Sequence, residues 1–152
     1  MKSTELLDST GIDYRLIKLD ERAVTSEDVV KFSSDIDETQ ICKTIIAKTK
    51  SEKAYAFLIK GMDRLDAKKV KELIGEKISI VSQEELQRIT GLQAGAVCPL
   101  VLDIPLFVDS KVFSLQKINF GSGDHLYGIE IEPSALSVVE YTEADISRSM
   151  TS

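Results

Sequence analysis

The sequence is poor in the residues that staple small proteins or hold metals: it has two cysteines, Cys42 and Cys98, and a single histidine, His125. Two thiols are too few for a disulfide framework or a zinc cage, and one imidazole has no second with which to share an ion. Neither a metal nor another cofactor is expected. Long apolar runs are also missing. No stretch approaches the roughly 18 apolar residues that a membrane-spanning helix needs, and Met1 to Glu5 lacks the apolar segment of a secretion signal. The expectation is a cytoplasmic protein that meets no membrane. Nor does any Pro/Gly/Ser-rich linker, long charge run or internal repeat interrupt the chain, which predicts one domain over residues 1–152.

What is present suffices for a folded body. At 152 residues, 43% of them hydrophobic and 29% charged, the chain is long enough to close a core without covalent staples and far from the composition of disordered segments. The formal net charge of −6 speaks against a broad nucleic-acid-binding surface, because phosphate contacts need clustered Lys and Arg. The charge is uneven, however. Between Lys43 and Lys77 stand ten basic residues (Lys43, Lys48, Lys50, Lys53, Lys60, Arg64, Lys68, Lys69, Lys71, Lys77) against five acidic ones, a local +5 that leaves −11 for the remainder. Such a segment is ordinarily a solvated helix face and hairpin tip. It is also where a polyanion would find attraction.

Helix and strand signals alternate along the chain. Thr4 to Ser9 reads as a short helix closed by Gly11, and Tyr14 to Leu19 as a strand. A helix is expected after Thr25, whose hydroxyl can cap it. The apolar runs Thr44–Ala47 and Ala54–Ile59, separated by a polar tip, predict an antiparallel hairpin. Asp66 can cap a helix through Ile74 that ends at Gly75, and Lys77–Val81 then reads as a strand. Ser82 with Glu85 has the form of a capping box for a helix to about Ile89. The stretch from Gly91 to Pro105 should be irregular. Strands are expected at Leu106–Asp109, Val112–Leu115 and Leu126–Ile131, with a last helix starting at Pro133. Hairpins forbid a purely parallel sheet. The consistent architecture is α+β, with a mixed, strongly curved, mainly antiparallel sheet flanked by short helices.

Three places can carry chemistry. Lys43 sits at the mouth of a strand that should be buried; a lysine there ordinarily lays its stem on the core and sends its ammonium to water. Pointed into a pocket instead, it stabilises negative charge developing on a carbonyl or phosphate oxygen. Gly95-Ala96-Val97-Cys98-Pro99 is a G-x-x-x-P loop, in which glycine permits close approach to a ligand and proline fixes the far end, although most such loops only turn the chain. Gly121-Ser122-Gly123-Asp124-His125 places a hydroxyl, a carboxylate and an imidazole beside flexible glycines, a pattern that a hairpin turn explains equally well. Neither a nucleophile elbow nor a triad surrounds Ser122, and Cys98 lacks an obvious base.

Taken in order, these pieces resemble the YbaK-type aminoacyl-tRNA deacylases, relatives of the editing domain of prolyl-tRNA synthetase. Gln40-Ile41-Cys42-Lys43-Thr44-Ile45-Ile46 is similar to their Lys-Thr-Leu strand entry, and Gly61 to Asp66 to the glycine, charged pair and leucine that lead into a helix. Thr90-Gly91 with Gly95–Pro99 resembles their threonine-glycine and G-x-x-x-P loop, and Val108-Asp109 the valine-aspartate after it. Gly121-Ser122-Gly123, the strand to Ile131 and Pro133 to Leu136 resemble the C-terminal signature. The resemblance covers residues 10–140. Three positions depart from it: Met62 stands where many relatives carry an acid, Cys98 holds an unusual loop position, and His125 has no assured counterpart.

The resemblance implies hydrolysis of the ester that joins a wrongly attached small amino acid to the 3′ end of a tRNA, without metal and without a covalent enzyme intermediate. It assigns Lys43 and Gly95 to catalysis, and Thr44, Ala96, Val97, Cys98, Pro99, Ser122, Gly123 and His125 to substrate binding. The implied partner is the tRNA acceptor end, with help from a synthetase or elongation factor. Two rivals stay open: a non-catalytic tRNA-binding or synthetase-docking module of the same fold, and a Schiff-base enzyme using Lys43.

Overall fold

The hairpin expected from the two apolar runs is the centre of the molecule, as the computed structural model shows; its described residues are 1–19 and 37–150. The helix expected after Thr25 lies outside them. Strand β2 (Cys42–Thr49) pairs antiparallel with β3 (Ala54–Lys60), from Cys42 opposite Lys60 to Lys48 opposite Ala54. Ala56, Phe57, Leu58 and Ile59 are all fully buried. Being covered on both faces is the reason this run is continuously apolar instead of alternating.

Five strands make the main sheet, in the order β5 (Ile78–Ile80), β2, β3, β6 (Leu106–Asp109), β9 (Thr142–Ala144). The β3–β6 and β6–β9 pairings are parallel and the others antiparallel. A three-stranded antiparallel sheet places β8 (Tyr127–Ile131) between β1 (Arg15–Lys18) and β7 (Ile118–Gly121). It adjoins the main sheet through a parallel bridge between Ile41 and Asn119. A third, two-stranded sheet pairs β4 (Asp63–Leu65) with β10 (Ser147–Ser149).

Strand alternation divides the core in two. Cys42, Ile46, Ala56 and Leu58 face a cluster with Val97, Cys98, Val108, Phe120 and Ile129. Ala47, Phe57 and Ile59 face the other way, onto Val70, Ile78 and Ile146. There Phe57 stacks on Phe107 with ring centroids 5.6 Å apart. Full burial of one such side chain contributes about 1.5–3 kcal/mol.

The helix signals read from the sequence are used. Helix α1 spans Lys2–Thr10 and ends at Gly11. The Asp66 carboxylate accepts from the Lys68 and Lys69 amides and starts α2 (Ala67–Ile74). The Ser82 hydroxyl accepts from the Glu85 amide and starts α3 (Gln83–Thr90). The reciprocal half of that capping box is not made. Glu85 instead pairs with Lys48, so an ion pair ties α3 to β2.

Val112–Leu115, expected as a strand, is part of a short 3-10 helix over Ser110–Ser114. The cause is Asp109. Its buried carboxylate accepts from the Lys111 amide at 3.3 Å, which turns the chain, and from the Ile146 amide and the Ser147 hydroxyl at 3.0 and 2.9 Å. The strand that pairs comes later, as β7. Pro133 opens a 3-10 helix (Pro133–Val138) and no α-helix. Strands β4, β9 and β10, three residues each, carry too little pattern to be read from the sequence. Among the described residues no helix is long and apolar enough to cross a membrane.

Candidate functional site

Lys43 occupies the second position of β2, opposite Ile59 on β3. Its side chain is half-buried, and among the described residues its ammonium has neither a hydrogen bond nor an ion pair. Burial lowers its pKa from the ordinary lysine value; the carboxylate of Asp63 pulls the other way, and the guanidinium of Arg64 adds to the lowering. A lysine that only snorkels keeps full solvation and shows no such shift. Lys43 is a partly desolvated cation with unused donors.

The glycine loops form the second half of the site. Gly95 is exposed and adopts φ +86°, a left-handed conformation that costs glycine nothing and other residues a clash. Both carbonyls flanking it are held: Ala94 O lies 3.0 Å from His125 Nε2, and Ala96 O accepts from the Gly123 amide at 2.8 Å. The contact at Gly121 is tighter still. A Cβ placed there would lie 2.7 Å from Val97 O and 2.8 Å from Gly95 O. The backbone of 95–97 therefore rests on the bare face of Gly121, and only glycine permits it.

The strand that carries Gly121 meets the entry of β2 at the bridge between Ile41 and Asn119. The direction in which Gly121 lacks a side chain is filled by the 95–97 loop, while Cys42 and Ile46, which alternate with Lys43, pack with Val97 and Cys98 of that loop. Beyond Ile41, β7 no longer bridges β2, and β5 pairs only with Ala47 to Thr49.

The remaining expected residues are placed differently. Thr44 alternates to the opposite face from Lys43, and its buried hydroxyl has no partner among the described residues. Ala96, Val97, Cys98 and Pro99 turn buried side chains inward, so only their backbone is available to a ligand. Burial pushes the thiols of Cys42 and Cys98 up to about 12, which leaves both unreactive near neutral pH. The Ser122 hydroxyl is spent inside its own turn, donating toward the Asp124 and Tyr127 carbonyls and accepting from the Asp124 amide. Its carbonyl accepts from Ser3 of α1 at 2.6 Å. His125 and Gly123 act on the loop, through Ala94 and Ala96.

One residue escaped the sequence reading. Asn119 is 2% exposed, is bridged to Ile41 two residues before Lys43, and has neither amide atom hydrogen-bonded among the described residues. Leaving such a group unpaired costs about 1–3 kcal/mol. Its only sequence signal was a polar residue between the apolar Ile118 and Phe120. An open groove of about 1010 Å³ beside Pro99, Ile104, Glu140 and Tyr141 contains neither Lys43 nor Gly95.

Fold and candidate site together are those of a small α+β domain with a partly desolvated lysine and a clamped glycine loop on adjoining sheets. The model of the aminoacyl-tRNA editing domain family matches residues 20–137. The chain belongs to that family. It is 30% identical over 121 residues to the proline–tRNA ligase of Caldicellulosiruptor bescii, covering 78% of this chain and 21% of that protein. Against the proline–tRNA ligase of Caldicellulosiruptor saccharolyticus the identity is 30% over 107 residues, covering 70% and 18%. The chain thus spans about a fifth of the length of these synthetases. Among solved structures it superposes on the hypothetical protein APE2540 with a TM-score of 0.89 at 28% identity, covering 97% of this chain and 100% of that one. A protein described as a proposed trans-editing enzyme for prolyl-tRNA synthetase shares the fold, with a TM-score of 0.81 at 22% identity over 95% and 94% of the two chains.

Proposed function

We propose that this chain is a single, trans-acting editing domain that hydrolyses the ester of a mischarged small amino acid on tRNA, of the kind made in charging tRNA for proline, in the cytoplasm. The observation that carries this reading is the half-buried ammonium of Lys43, without a partner among the described residues, at the entry of β2 beside the strand whose Gly121 holds the clamped loop.

An aminoacyl ester is already activated, so the site has to place a water or the neighbouring ribose hydroxyl and stabilise an oxyanion. A cation with unused donors in a partly dry setting does the second, for about 3–4 kcal/mol per well-placed donor. The Gly95 loop does the first by position. Its two flanking carbonyls are fixed before substrate arrives, so little ordering remains at the moment of reaction. With Ser122 engaged in its turn and both thiols held protonated, attack by water or the substrate's own hydroxyl is the route these residues favour.

Selectivity rests on the volume left beside the loop, since one methylene is worth only about 1–3 kcal/mol. Partners are the acceptor end of mischarged tRNA and a synthetase or elongation factor that delivers it. The test is deacylation of alanyl- and cysteinyl-tRNA specific for proline by wild type and Lys43→Ala. Loss of about 100-fold or more in the variant is expected. Equal rates would remove Lys43 from catalysis, and binding without turnover by wild type would make the domain a docking module.

A further inference from the structure

The two-stranded sheet beside Lys43 has a feature that editing chemistry does not require. Arg64 on β4 and Arg148 on β10 are direct cross-strand partners, both exposed. Side chains directly opposite in an antiparallel pair share a face, and like charges there are destabilising. The nearest carboxylates along the chain give no relief. Asp63 is ion-paired with Lys111, Asp66 caps α2, and Asp145 is held by Lys69. Asp63 and Leu65, alternating with Arg64, turn inward, so the arginines are left facing solvent together.

Two exposed methionines flank the pair along the chain. Met62 precedes β4 and Met150 follows β10, at 52% and 54% exposure. Met62 and Met150 each lie one residue beyond the last pair of this sheet, Asp63 opposite Ser149. The result is a paired cation flanked by a pair of soft, polarisable thioethers. β4 follows directly from the end of β3 that lies beside the start of β2, so this patch borders Lys43.

We propose that Arg64, Arg148, Met62 and Met150 form the landing surface for the unpaired 3′ strand of the RNA whose terminal ester reaches Lys43; this rests on the editing reading above and names its RNA contact. Guanidinium forks match phosphate oxygens in bidentate geometry, and methionine packs against flat apolar surfaces such as base faces. A single strand offers both at once, whereas a duplex hides its bases. The surface also reconciles a net charge of −6 with an RNA ligand, because the attraction is confined to one short patch.

The experiment uses the whole chain and a 5′-labelled, uncharged acceptor-stem minihelix with a short unpaired 3′ tail, followed by fluorescence anisotropy across a salt series. Arg64→Ala/Arg148→Ala is expected to weaken binding by about tenfold and to flatten the slope of log K against log salt by roughly 1.4, two charges on single-stranded RNA. Arg64→Lys/Arg148→Lys should retain most of that slope, which separates charge from misfolding, and a thermal melt confirms the fold. Lys50→Ala/Lys53→Ala makes the same charge change at the hairpin tip, roughly 20 Å away along the strands, and should bind as wild type does. Met62→Ala/Met150→Ala should weaken binding without moving the slope.

An unchanged slope in the arginine variant, an equal loss in the lysine control, or equal affinity for a minihelix lacking the tail would each overturn the surface. The probe carries no ester, so the result is independent of turnover. Arginine-dependent binding by a chain that never deacylates would sink the hydrolase reading and keep the surface. Full deacylation at sub-saturating substrate by the arginine variant would do the reverse.

Discussion

Substituting Gly121 by alanine tests the site at its tightest point. The new Cβ would stand 2.7 Å from Val97 O and 2.8 Å from Gly95 O, and ordinary contact begins near 3.4 Å, so the loop has to retreat by about 0.7 Å. Both obstructing atoms are backbone, and the loop is tied at Ala94 and Ala96, so no side chain can swing aside. Overpacking of this sort costs about 1–3 kcal/mol, and for a domain of this size each kcal/mol lowers Tm by about 2–4 °C. A displacement approaching 1 Å at a positioned site costs up to about 100-fold in rate; a 10- to 100-fold fall in kcat for deacylation is expected. Gly128 supplies the control. It lies directly across β7–β8 from Gly121, and a Cβ there meets only Phe120 O at 3.7 Å. Gly128→Ala should therefore melt within about 1 kcal/mol of wild type and keep its rate. A Gly121→Ala protein that matched Gly128→Ala in both melting and turnover would refute the claim that the loop is clamped against β7.

Three further outcomes are expected. Neither thiol should react with a maleimide in the native protein at pH 8, and both should react in guanidinium, because burial holds Cys42 and Cys98 near 12; rapid native labelling of Cys98 would show the loop to be open. Enzyme-catalysed deacylation, corrected for spontaneous hydrolysis, should fall on the alkaline side at a pH below the ordinary lysine range, since burial lowers the Lys43 pKa. Lys43→Arg should move that limb out of reach, while a limb unchanged in that variant would assign it elsewhere. The sign for stability is opposite to that of a paired lysine: the buried charge costs stability at neutral pH, and the cost is relieved as pH rises through the lowered pKa toward the unfolded value. Asn119→Leu removes an unsatisfied buried amide, so thermal stability should hold or rise while kcat/KM falls if the amide meets substrate; unchanged kinetics would confine Asn119 to the fold.

Much of this was written in local sequence. The hairpin of β2 and β3, the Asp66 and Ser82 caps and the Gly95–Pro99 bend all follow from patterns within a few residues, because strand alternation, capping and glycine geometry are short-range physics. The helix in place of a strand at Ser110–Ser114 did not, because it depends on Asp109 bonding to Ile146 and Ser147, 37 and 38 positions away. Tertiary structure alone also decided which side chains face the site. It spent the Ser122 hydroxyl in a turn, laid the 95–97 loop on Gly121, and joined the strand of Asn119 to the entry of β2 through one bridge between two sheets. A strand's own sequence settles which residues alternate, and only the neighbour it docks against settles which of its two faces meets the ligand.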